Sequence, residues 1–473
     1  MSMLKEHYSL IVRRGEMTIL PYGERLASYV HDLKFKSLPS GVVDFTKNLL
    51  LDFLGVAIAG SVTPWGRIIM ETTKSIDGKK ESTIIASNFR SHCTNAAFAN
   101  GTFGHSLDFD DNHNEAGIHP GVVVIPASLA LGERERAEGR DLIASMVAGY
   151  EVILRVGSAL NYLNHMKRGF HPTGTTGTFG AAAASGKILK LNADQVADAF
   201  GIAGSCSSGL LEFFATGSPT KRLHAGKSAR DGILSSILAQ RGFAGPHSVF
   251  EGRNGFLRAY SDSTVPERLT EGLGEEYRIL TTHIKKYACN ACYHTGLDGL
   301  SNIMADHHLK PNDLAEVNVG VSNLVLLNQS QSNYEPRTVL DAQMSYPFCL
   351  SMVAHEGCLT HREFRHKNLK DPHVRSLMQK IKIVQDEEAE KAWQNDPTTF
   401  VAILNVKSRD GGTYTDRVDY FKGHPRNPMT KGDIEEKFSR CASPLIKTTT
   451  RIIEKIDRLE KISVPDLMKM TRL

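Results

Sequence analysis

"VVDFTKNLLLDFLGVAIAG", residues 42–60, decides the fold class. Val42, Phe45, Leu49, Phe53 and Val56 recur at spacings of three and four, which is one face of a helix, and Gly60 follows as a stop signal. The same period predicts helices over 122–133, 141–159, 177–190, 193–210 and 227–242. Ala, Gly and Ser crowd the later of these, and small residues let helix axes approach closely. Asn192 and Gln195 have capping-box spacing, a local start signal.

From about residue 275 the texture changes. "AEVNVGVSNLVLL" (315–327) and "TFVAILNVKSRDGGTYTDRVDYF" (399–421) carry β-branched alternation, and Asp410-Gly411-Gly412 in the second makes a hairpin turn. Helical stretches at 342–357 and 371–384 lie between them, and the tail from Asp433 returns to a helical period. The expected fold class is mainly α with a second, α+β domain. A chain of 473 residues exceeds one ordinary core, so two domains are expected.

Composition narrows the function. Hydrophobic content of 41% and charged content of 23% describe a globular protein. The net charge of +4, without a basic run, argues against a nucleic-acid partner. No apolar run approaches the roughly 20 residues of a membrane span, and the N-terminal apolar patch is too short for a signal core. Seven cysteines, an odd number, point to free thiols and a cytoplasmic location.

Most familiar site motifs fail. "GTTGTFGAAAASGK" (174–187) lacks both the dinucleotide and the phosphate-loop spacings, because Gly186-Lys187 is followed by Ile188, so tight helix packing is its expected role. "CNAC" (289–292) has no second cysteine pair for zinc, since Cys349 and Cys358 are not so spaced, and reads as packing. "HSLDFDDNHNEAGIHPG" (105–121) gathers His105, Asp108, Asp110, Asp111, His113, Glu115 and His119. Those groups could hold a metal or form an acid/base site without one, although no known histidine-metal spacing or calcium-loop pattern is matched. The interleaved Leu107 and Phe109 argue against a fully solvated loop. Other His and Lys stand in Gly- or Pro-flanked settings: His171-Pro172-Thr173-Gly174, Lys221-Arg222-Leu223-His224, and Lys285 through His294. Together they have the composition of a polycarboxylate pocket, with cations to bind and histidines to move protons.

These residues resemble the MmgE/PrpD family, whose members include 2-methylcitrate dehydratase, cis-aconitate decarboxylase and iminodisuccinate epimerase. The likeness runs in order through "LLLDFLGVAIAG", "GHSLDFDDNHNEAGIHPGVVVIPASLALGE", "GFHPTGTTGTFGAAAASGKILKL", "KRLHAGKSARDG", "FEGRNGF", "IKKYACNACYHTG", "AQMSYPF" and "GGTYTDRV". The resemblance implies a helical domain from residues 15–275, an α+β lid at 276–422, and helices at 423–473 that return to the first domain. It also implies a homodimer, no metal or organic cofactor, and a cleft site for a small polycarboxylate substrate. Carried over by position, the catalytic residues are His119, Asp108, His171 and Lys221, with Lys285, His294, Asn290 and Asn112 binding substrate. In that reading His119 is the leading acid/base, Asp108 orients or charges it, and Lys221, His171 and Lys285 clamp carboxylates. Asp110, Asp111, His113 and Glu115 become structural or rim residues. Asn290 stands where the mammalian decarboxylases have histidine, and Asn112 where they have threonine. The dehydratases read more like D-F-N-D-T-W, and no Trp follows Asp108 here, which places the chain nearer the decarboxylase and epimerase branches. A carboxylate-binding protein without catalysis is the expectation from a different class.

Overall fold

The computed structural model describes residues 10–13, 16–76, 78–327 and 333–473. The stretch weighed as a signal core and the expected domain start at residue 15 fall largely outside them. The 42–60 stretch lies in a helix, α2 (Ser40–Ser61), which follows α1 (Tyr22–Asp32). Its face is wider than the periodicity implied. Phe45 is only half-buried, yet every residue from Leu49 to Ser61 is buried, so the second half of α2 is enclosed on all sides. Gly60 does not stop the helix. A Cβ there would lie 2.0 Å from the Phe103 carbonyl, so Gly60 permits the close crossing of α3 (Cys93–Gly104).

Around α2 and α3 stack α4 (Gly121–Arg134), α5 (Gly139–Leu160), α6 (Pro172–Ile188), α7 (Ala193–Cys206) and α8 (Thr220–Gln240). The glycines of 174–187 pack helices, as their spacing suggested. A Cβ on Gly180 would sit 2.7 Å from that of Ile153 on α5. The Asn192–Gln195 capping box forms at the start of α7. α7 ends four residues short of the expected 210, and α8 begins at Thr220, seven residues before the expected start. That earlier start matters, because it puts Lys221 and His224 one turn apart on the same helix face. Contrary to expectation, α5 is long and apolar enough to cross a membrane by length and composition. From Leu142 to Leu160 it is buried within the protein, and it encloses a Glu151–Arg155 ion pair at 3.2 Å.

The later region carries α9 (His294–Asp306), α10 (Tyr346–Glu356) and a four-stranded sheet: β1 (Leu314–Val321), β2 (Ile381–Gln385), β3 (Ala402–Ser408) and β4 (Thr413–Val418). The sheet order is β2-β1-β3-β4, with β1 and β2 parallel and the other pairs antiparallel. The Asp410-Gly411-Gly412 turn joins β3 to β4, pairing Lys407 with Thr413, and Gly411 takes the positive φ of 96° that such a turn needs. Two expectations are corrected. The strand in 315–327 stops at Val321, where the alternation gives way to the helical Asn323–Leu327, unbroken apolar from Leu324 on. The helix in 371–384 stops at Met378, and Ile381-Lys382-Ile383 alternates into β2.

Buried apolar side chains form two large clusters, one among the helices and one between the sheet, α9 and α10. Val56, Ala59, Leu107 and Phe109 belong to the second, so α2 and the loop after α3 reach into it. α11 (Lys431–Ala442) returns to lie on α2, where Gly55 leaves only 3.1 Å between a Cβ and the Phe438 Cα.

Candidate active site

The loop 105–120 runs from α3 to α4 and carries the polar cluster inward. Its anchors are Leu107 and Phe109, both buried. Asp108 between them has φ 52°, a left-handed conformation that a non-glycine residue keeps only where its surroundings hold it.

The partners of Asp108 supply that hold. Its Oδ1 accepts from Lys221 Nζ at 3.1 Å and from Lys285 Nζ at 3.0 Å, and Lys285 also donates to the Asp108 carbonyl at 3.1 Å. Burial works to raise the Asp108 pKa, but the two ammonium groups win and hold it well below the usual carboxylate range. Burial lowers Lys221; for Lys285 burial is outweighed by Asp108 and its value rises. One carboxylate between two buried lysines leaves a positive surplus. Arg222 adds to it: its guanidinium lies 4.0 Å over the Trp65 ring and donates to Ser106 O and Gln343 Oε1, with no carboxylate partner among the described residues.

His119 is oriented by a different carboxylate from the one expected. Its Nδ1 lies 3.0 Å from Asp110 Oδ2 and 2.9 Å from the Asp111 carbonyl. Asp108 takes the two lysines at Oδ1 instead, and no hydrogen bond joins it to His119 among the described residues. Asp110 also takes His105 Nδ1 at 3.0 Å, and burial drives His105 down to about 4, so its ring is neutral. Burial pushes the Asp110 carboxyl up, yet His105 and His119 together hold it well below the usual range. Asp110 is therefore no rim residue. Asp111 is structural in a specific sense: it accepts from Tyr150 Oη at 2.6 Å and from Gly121 N at 2.9 Å, and burial pushes it up to about 8. His113 is buried and held by Thr281, while Glu115 pairs with Arg268 at the surface. Ligand atoms of His105, Asp110 and His119 lie within 4.8 Å of one another, so these three could hold a metal ion. Glu81, His92 and Cys93 form a second such group, remote in sequence from the loop.

A cavity of about 1340 Å³ brings together Asp108, Asn112, His119, His171, Lys221, Lys285 and Asn290. Asn290 caps the turn at Cys292, and Asn112 donates to Asn114. His294 is the exception. It is fully buried, does not line the cavity, and lies edge-to-face with Tyr287 and Phe421. Cys289 is buried and Cys292 joins the cavity wall, and all the cysteines are free, in keeping with a packing role. Sequence reasoning missed the buried residues that back the cavity lining: Asp110 and His105 beside His119, and Arg222 and Gln343 next to Lys221. Asp110 and His105 stood in the quoted polar stretch, and Arg222 beside Lys221, but spacing alone does not say which groups of a loop converge.

The MmgE/PrpD N-terminal domain matches residues 24–269 and the MmgE/PrpD C-terminal domain matches residues 287–461. The chain belongs to the MmgE/PrpD family. It is similar to the cis-aconitate decarboxylase of Homo sapiens, 29% identical over 93% of both chains, and to that of Mus musculus, 29% identical over 93% of this chain and 92% of the other. It is 28% identical to the cis-aconitate decarboxylase-like protein oryM of Aspergillus oryzae over 92% of each. Membership and relatives together make the chain a lyase.

Proposed function

We propose that the chain decarboxylates a small tricarboxylic acid, cis-aconitate to itaconate and CO2 being the best-supported case. The observation that carries this is the Lys221–Asp108–Lys285 cluster, whose surplus buried charge faces the same cavity as His119 and His171. A buried cation without a counterion is costly, so a substrate carboxylate is the natural occupant. The names of the relatives support the choice of acid.

In this reading the carboxylates of the substrate lie on Lys221 and Lys285, and fixing them supplies much of the acceleration. His119, with Nδ1 held by Asp110, presents Nε2 to the cavity and transfers the proton. As the C–C bond to the departing carboxylate breaks, its electron pair forms a new double bond to the central carbon. The old alkene pair takes the proton, and CO2 leaves. The trianion and one proton give the dianion and CO2, so charge and atoms balance. We also propose that the two apolar clusters are two domains with the site at their junction, and that no metal takes part.

The test is an NMR screen of the purified protein against cis-aconitate, 2-methylcitrate and iminodisuccinate, before and after dialysis with EDTA. Itaconate from cis-aconitate, unaffected by EDTA, is expected. Turnover of only one of the other acids would move the reaction to dehydration or epimerisation. Loss of activity in EDTA, restored by one divalent ion, would revive the metal reading, with His105, Asp110 and His119 as the candidate ligands beside the cavity.

A further inference from the structure

The mechanism above leaves one contact unused. His171 Nδ1 and His224 Nδ1 lie 2.9 Å apart. Two imidazole nitrogens bond only when one carries hydrogen and the other is bare, so the rings must hold opposite tautomers. His171 lines the cavity and His224 does not. Both are buried, and each leaves its Nε2 without a hydrogen-bond partner among the described residues. The contact is built into the fold. Gly174, one turn into α6, would place a Cβ 3.2 Å from that of His224, and Gly209 would place one 3.3 Å from His224 Nδ1. Phe213 lies edge-on to both rings, at 5.5 Å from His171 and 5.9 Å from His224.

We infer that His224 is a positioning residue that fixes the tautomer of His171 and so sets which nitrogen substrate meets. The direction follows from the ligand chemistry and rests on the reading of the cavity as a polycarboxylate site. A carboxylate only accepts, so His171 must present Nε2–H to it. Its Nδ1 is then bare, and His224 is the donor through Nδ1–H. Burial, with His224, His105, Lys221 and His119 around it, holds His171 well below its usual pKa, so a neutral ring with a single N–H is the form in question. Burial likewise lowers His224 to about 4. Without His224, the neutral ring of His171 divides between tautomers, and one of them turns a lone pair toward the carboxylate.

The test pairs His224→Asn, whose side-chain amide can donate near the position of Nδ1, with His224→Phe, which fills the recess and donates nothing. Two readouts apply. Nitrogen-15 NMR of labelled histidine reports the His171 tautomer without ligand. Calorimetric binding of propane-1,2,3-tricarboxylate, which is saturated and cannot react, reports carboxylate capture without turnover. Expected are a single Nε2–H tautomer of His171 in the parent and in His224→Asn, a mixture in His224→Phe, and binding weakened in His224→Phe by the reciprocal of its remaining Nε2–H fraction, about two-fold for an even mixture and about ten-fold where one ring in ten keeps it. His224→Asn keeps that donor and binds as tightly as the parent. An unchanged His171 tautomer in His224→Phe, or equal weakening in both variants, overturns the inference. A parent that shows the locked tautomer but binds no tricarboxylate overturns the polycarboxylate reading instead.

Discussion

Asp110 and Asp111 are neighbours in sequence, and the structure gives them opposite states. Asp110 accepts from two histidines and stays ionised, whereas Asp111 shares its carboxyl with Tyr150 and the Gly121 amide and is driven up to about 8, chiefly by burial. Burial thus favours the protonated Asp111 carboxyl near neutral pH, and the Asp111 carbonyl accepts from His119. The consequence for stability has a definite sign. A carboxyl raised in the folded state binds its proton more tightly there than in the unfolded chain. Its contribution is full below about pH 4, the unfolded value, and is lost as pH rises through about 8. Asp111→Asn, which resembles the neutral acid, should remove this slope. Urea melts at intervals between pH 4 and pH 8 should show the variant losing less stability with rising pH than the parent. An equal slope would mean that Asp111 is ionised. Which of two adjacent aspartates takes which state could not be read from "DFDD". The sequence says that carboxylates crowd the loop; only the fold says that Asp108 meets lysines, Asp110 histidines and Asp111 a phenol.

At the scale of elements, much was legible. Spacings of three and four located the helices that build the core, and the Asp410-Gly411-Gly412 turn fixed the β3–β4 register. Boundaries were less so, because the start of α8 lies in Thr220-Lys221-Arg222, polar residues that interrupt the apolar period although Lys221 and Arg222 are buried. Asp108 takes Lys221, and the Ser106 carbonyl, Gln343 and the Trp65 ring take Arg222; a pattern based on hydropathy does not see such partners. α8 carries Lys221, Arg222 and His224, so its seating on α3 sets the site. That seating depends on Gly226, where a Cβ would lie 2.0 Å from the Phe98 carbonyl and 2.4 Å from Thr102 Oγ1. Gly226→Ala should force the helices apart, costing about 1–3 kcal/mol. It should also reduce kcat/KM for the tricarboxylate by moving Lys221 away from Asp108. Chemical denaturation and steady-state kinetics check the two effects, and a variant as stable and active as the parent would show that the crossing is looser than drawn.

At the scale of the whole molecule, buried polar ties join residues far apart in the chain, and one of them joins α11 to the loop that carries Asp108 and Asp110. Lys437 Nζ pairs with Asp52 of α2 at 2.6 Å, donates to the Phe109 carbonyl at 2.7 Å, and lies 4.0 Å from the Phe109 ring centre. Asp52 and Lys437 are 385 positions apart in sequence and both buried, and Phe109 separates Asp108 from Asp110. Burial raises the Asp52 pKa, with Lys437 as the main opposing charge. Removing that charge alone strands a buried carboxylate, so Lys437→Met should destabilise by roughly 3–5 kcal/mol. Adding Asp52→Asn should recover most of this, because the pair is then replaced by neutral groups. Activity should not recover with it. The Phe109 carbonyl still lacks its donor, and the loop that carries Asp108 and Asp110 loses its tether to α11. Urea melts and kcat/KM on the single and double variants separate the effects: stability regained with kcat/KM still low places Lys437 in the support of the loop, whereas recovery of both would reduce it to a counterion for Asp52.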